Sequence, residues 1–164
     1  MITASTGELL EYLAHVIVEM ERYGATILPP DGGDEVDWLR HGDHLIMDVA
    51  ARLPTVRRSR PTDLVLRERW QSHGLDEWQM VEYGHELRDH ELDYRRALHR
   101  HDDEYFVRSH GVATHEHCES TMGYETCGHY LGEPASGALD GFLRLYAIWL
   151  TGQKPDCSTL RCLG

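Results

Sequence analysis

Residues 76–99 read DEWQMVEYGHELRDHELDYRRALH, and the period assigned to this stretch decides the fold. Met80, Tyr83, Leu87, Tyr94 and Leu98 recur at helical spacing, while Glu82, Glu86, Asp89 and Asp93 gather on the opposite side. That pattern predicts a long amphipathic helix with an apolar face on the core and an acidic stripe toward water.

The flanking sequence extends the same reading. Ser5 and Glu8 have capping-box spacing, and Leu9, Leu13, Val16, Ile17 and Met20 follow at helical intervals, so a helix is predicted over about 6–23. The proline and glycine residues of 29–33 mark an exposed connection. A second helix is expected from 34 to about 53, where Trp38, Leu45, Ile46, Val49, Ala50 and Leu53 share one side and Pro54 ends the run. The basic stretch 57–61 reads as a solvated loop, and Thr62 or Asp63 caps a short helix to about 71.

Downstream the pattern changes. Residues 105–108 and 112–115 flank Ser109, His110 and Gly111 as in a β-hairpin. Residues 119–138 hold no sustained period and read as irregular, and the apolar run 139–150 is long enough for a buried helix. The predicted class is α+β: a mainly helical N-terminal two-thirds (about 5–100), then a β-hairpin, an irregular metal-binding loop and a C-terminal helix (about 104–164). All of it belongs to one domain over 1–164.

Composition bounds the function. A chain of 164 residues and 18.9 kDa can bury a core without disulfides. No apolar run approaches the roughly 20 residues that span a bilayer, so no membrane association is expected. Nothing near Met1 has the form of a secretory signal, which makes the cytoplasm the expected compartment. The formal charge of −12 repels phosphate backbones and disfavours direct nucleic-acid binding. Lys154 is the sole lysine among 16 basic residues, a skew that suits GC-rich coding sequence, as in a high-GC bacterium or a virus or mobile element within one.

The 12 histidines and four cysteines supply the candidate site. In an extended strand His115 and His117 project to one face, and Cys127 and His129 repeat the one-residue gap around Gly128. Together His115, His117, Cys127 and His129 form a candidate tetrahedral set of three nitrogens and one sulfur, which suits zinc as a cofactor. Cys118 faces away from the pair and reads as a small buried hydrophobe. Two alternatives use the cysteines differently: a four-cysteine zinc site of Cys118, Cys127, Cys157 and Cys162, or disulfides pairing Cys118 with Cys127 and Cys157 with Cys162 in an exported protein.

Weaker constellations are a helical stripe of Asp37, His41, His44 and Asp48, and Glu82 with His85 facing Glu8, Glu11, His15 and Glu19. Neither a phosphate-cradling glycine loop nor a G-x-S-x-G turn is present. The leading expectation is therefore a small acidic zinc-binding accessory or inhibitor protein with a protein partner, its contact stripe being Glu82, Glu86, Asp89 and Asp93. The alternative is a metal-dependent hydrolase or nuclease using the histidine and cysteine cluster. A third reading is a small-molecule binder lined by Tyr105, Tyr124, Tyr130 and Trp149.

Overall fold

The computed structural model describes residues 2–29, 38–55, 58–101, 107–108, 113–121, 128–130 and 134–154. Its elements in chain order are β1 (Thr3–Ala4), α1 (Thr6–Arg22), β2 (Thr26–Leu28), β3 (Trp38–His41), β4 (His44–Leu53), β5 (Thr62–Ser72), β6 (Trp78–Asp89), β7 (Tyr94–Arg100), β8 (Thr114–Glu119), β9 (Gly128–Tyr130) and α2 (Ala138–Leu150). Among the described residues the strands form one nine-stranded antiparallel sheet in the order β2-β4-β5-β6-β7-β8-β9, with β1 beside β6 and β3 beside β4.

The expected helical N-terminal two-thirds is thus overturned: the middle of the chain is a β-meander, and only the first and last helices stand where their periodicity placed them. The capping box at Ser5 and Glu8 is formed.

The physical reason lies in the stretch 76–99. Val81 is an extra residue opposite the junction of Arg69 and Trp70, because Arg69 pairs with Glu82 and Trp70 with Met80. This bulge restores Met80 and Tyr83 to one face despite their three-residue spacing. From Tyr83 to Leu87 and from Tyr94 to Leu98 the step is four, which is both a helical neighbour and two full strand repeats. A bulged strand therefore reproduced a helical stripe.

Residues 44–53 and 62–71 are clearer in retrospect. Leu45, Met47, Val49, Ala51 and Leu53 are buried in strict alternation on β4, as are Thr62, Leu64, Leu66, Glu68 and Trp70 on β5. Gly42, with φ of 64°, starts the two-residue turn that pairs His41 with His44. The predicted hairpin also fails, since β8 pairs with β7 and the backbone of Val107 and Arg108 is helical.

Both helices lie on one face of the sheet. Leu9, Leu13, Val16 and Met20 of α1 and Phe142, Leu145 and Trp149 of α2 join the sheet residues in a single core. Each large apolar side chain fully buried there contributes roughly 1.5–3 kcal/mol. Polar ties fix the helices as well: the Tyr12 hydroxyl donates to Glu68 Oε1 at 2.8 Å and accepts the Ala138 N–H at 2.5 Å, while Trp149 Nε1 donates to Thr62 Oγ1 at 3.2 Å. The opposite face is left to carry the charged and histidine side chains.

Candidate metal centre

Directly opposed residues of antiparallel strands point to the same face. Because β7 pairs with β8 in the register His99 to His115 and Ala97 to His117, the residues His99, His101, His115 and His117 share the face away from the helices. Candidate ligand nitrogens of His99, His101 and His115 all lie within 4.8 Å of one another, so this group could hold a metal ion. His117 completes the cluster: its Nε2 is 2.9 Å from Nε2 of His115, and its ring centroid is 4.8 Å from that of His99.

The electrostatics favour neutral rings at His99 and His117. Burial, with the neighbouring histidines adding to it, pushes His99 down to about 2. His117 is also lowered, first by burial and then by Arg95. Glu82, on β6 beside this row, stands 3.6 Å from His101 Nδ1 and is held below the usual carboxylate range chiefly by its hydrogen bond with His101. A carboxylate on one imidazole nitrogen leaves the other directed to a metal, the usual arrangement behind a histidine ligand. Arg69 Nε, at 2.9 Å, fixes the same carboxylate from the other side.

Two linked hollows run along this face. One of about 300 Å³ is bounded by Ile46, Arg69, Glu82, Gly84, His99 and His101. The other, of about 540 Å³, extends from Gly84 and His99 past Val65 and Ala50 toward Arg52 and Arg88. Gly84 stands opposite His99 and contributes no side chain there, which leaves the flank of the His99 ring open to the groove.

The sequence-predicted residues distribute as follows. His115 and His117 are brought together. Cys127 lies outside the described residues, and His129 stands opposite Glu116 in the β8–β9 register, not opposite either histidine. Cys118 is buried and disulfide-bonded, its partner lying outside the described residues.

The helical acidic stripe does not exist as a surface. Glu82 and Glu86 are on the histidine face and engaged by arginines, Asp89 is buried against Arg58 Nε at 2.7 Å, and Asp93 occupies a turn with φ of 49° where it accepts from Thr121. Asp48 is tied to Arg67 at 3.0 Å, and His85 is buried on the face opposite Glu82, so the two weaker constellations do not assemble either. Asp37 lies outside the described residues, as do Tyr105 and Tyr124, and Trp149 belongs to the core.

His99 and His101 were missed, although the sequence carries their signal. His99-x-His101 and His115-x-His117 are two copies of one pattern, and a strand pair turns two such copies into a four-imidazole patch. The helical reading of 76–99 hid it by ending a helix at His99.

No helix of the described residues is long and apolar enough to cross a membrane. Fold and site together define an antiparallel-sheet protein flanked by two helices, with a histidine-rich centre on the sheet's other face. No protein-family model, curated protein or solved structure matches the chain.

Proposed function

We propose that the protein binds one transition-metal ion, zinc being the first candidate, through His99, His101 and His115, and that it is a metal-dependent hydrolase of a small molecule held in the adjoining groove. The observation that carries this reading is the convergence of the three imidazoles at the mouth of a groove that reaches the His99 ring. An all-imidazole set suits zinc, copper, nickel or cobalt and does not suit magnesium or calcium. Three protein ligands leave a coordination position for water, whose pKa a bound divalent metal lowers toward neutrality.

The chain's own residues prepare that chemistry. Burial keeps His99 neutral, Glu82 orients His101, and His117 steadies His115 through the 2.9 Å contact. The net charge of −12 weighs against a long polyanion, so a small substrate is favoured over nucleic acid. The accessory-protein reading is weakened because Glu82 and Glu86 spend their charge on arginines within the sheet. The disulfide at Cys118 speaks for an oxidising compartment over the reducing cytoplasm.

Elemental analysis of the purified protein tests the proposal. One equivalent of metal is expected in the wild type and in Cys127→Ser, with loss in His99→Ala, His101→Ala and His115→Ala. Metal retained in His99→Ala but lost in Cys127→Ser would return the site to His115, His117, Cys127 and His129. Metal-dependent hydrolysis of p-nitrophenyl esters or phosphates supports the enzyme, and a stoichiometric metal without turnover across such a panel sinks it.

A further inference from the structure

The groove of about 540 Å³ does not end at the histidines. Its far end lies four residues along β7, at Arg95, which stands opposite Arg88 on β6; Arg52 stands opposite Asp63 on β4 and β5. By strand rise this end is roughly 13 Å from His99. Between them the floor is made by Ala50 and Val65, small enough to leave the hollow open, and Ala50, Val65 and Glu86 are opposed in one cross-strand row.

The far end is rich in directed donors. Arg52 uses only Nε, on Asp63 at 3.1 Å, and Arg88 uses only Nε, on Glu86. Their four terminal nitrogens make no hydrogen bond among the described residues. Both guanidinium groups stand prouder than the carboxylates that hold them: Arg52 is 47% exposed against 34% for Asp63, and Arg88 is 49% exposed against 15% for Glu86. A molecule entering the groove meets N–H donors first and finds the carboxylate oxygens already occupied. His90 lines this end as well, with its Nε2 held by Asp63 at 3.0 Å. Arg95, between this end and the histidines, has both terminal nitrogens on Glu119 and Glu86 and only a buried Nε left over, so it serves as wall instead of donor.

We infer that Arg52 and Arg88 form an oxyanion anchor. The substrate class this implies is a small molecule with a terminal phosphate or carboxylate about 10 Å or more from the bond that reaches the histidine centre. Planar forks held at Nε by a carboxylate are pre-oriented for tetrahedral or planar oxyanions, so little side-chain freedom is lost on binding. The anchor rests on the proposed metal centre only for what happens at the other end.

The test titrates inorganic phosphate, and separately acetate, into wild type, Arg52→Gln/Arg88→Gln and His99→Ala/His101→Ala at low ionic strength, followed by amide chemical shifts. Expected is saturable binding in the wild type, equal affinity in the histidine variant and at least tenfold weaker binding in the arginine variant. The arginine variant should still carry its equivalent of metal, which also reports that it is folded; each single arginine change should give an intermediate loss. The tighter of the two probes identifies the terminal group. Phosphate binding unchanged in the arginine variant, binding lost with the histidines, or no saturable binding of either probe overturns the anchor. A wild type that binds phosphate through the arginines but carries no metal overturns the metal centre and leaves the anchor standing.

Discussion

His99 is the residue on which chemistry and stability meet. Its folded form holds a proton only near pH 2, whereas the ordinary value is 6.5. Above 6.5 neither state carries that proton and the group is neutral to folding. As pH falls below 6.5 the unfolded chain takes up a proton that the folded chain refuses, so stability declines and keeps declining toward pH 2. Urea denaturation of the metal-free protein should therefore give a lower midpoint at pH 5 than at pH 7, and His99→Leu should flatten that difference. Equal pH slopes in the two proteins would show that His99 is not held neutral by the fold. At this scale the sequence was half legible. The one-residue spacing of His115 and His117 announces a shared face in any strand, but the pairing that adds His99 and His101 depends on register, which local pattern does not encode.

At the scale of elements, α2 is docked by absence as much as by contact. A β-carbon at Gly141 would lie 2.0 Å from Nδ1 of His85, a side chain that is fully buried and stacked on Tyr83 with ring centroids 4.8 Å apart. Neither partner has room to retreat, so Gly141→Ala should destabilise the protein by about 1–3 kcal/mol despite alanine's better helix propensity. Chemical denaturation measures this, and a neutral or stabilising result would mean that α2 sits farther from the sheet. The two helices were legible because their apolar stripes are uninterrupted and, for α1, because Ser5 and Glu8 cap it. β4 and β5 were misread for a different reason. Val49 and Leu53, like Leu66 and Trp70, sit four apart and satisfy a helical template, while alternating residues such as Met47 and Leu64 carry the strand signal. On β6 the bulge at Val81 supplied the remaining false interval.

For the molecule as a whole, a metal on His99, His101 and His115 would staple β7 to β8 and bind the folded state alone. Zinc at a thousand times its dissociation constant then stabilises by about 4.1 kcal/mol. For a chain of this size that corresponds to a rise in Tm on the order of 10 °C. Calorimetry with and without zinc should show the rise in wild type and none in His99→Ala/His101→Ala; an identical rise in both would place the ion elsewhere.

The hydrogen bond from Ala138 to Tyr12 spans 126 residues. From β4 to β9 each strand pairs with one just made, so the meander can close as the chain emerges. The apolar stripe of α1 meets β2 at once and the later strands in turn, but its contact with α2 waits: at the usual rate of synthesis, roughly 6–25 s pass between Tyr12 and Ala138. During that interval the core that holds Leu9, Leu13 and Val16 lacks Phe142, Leu145 and Trp149, and α2 is the part that completes it.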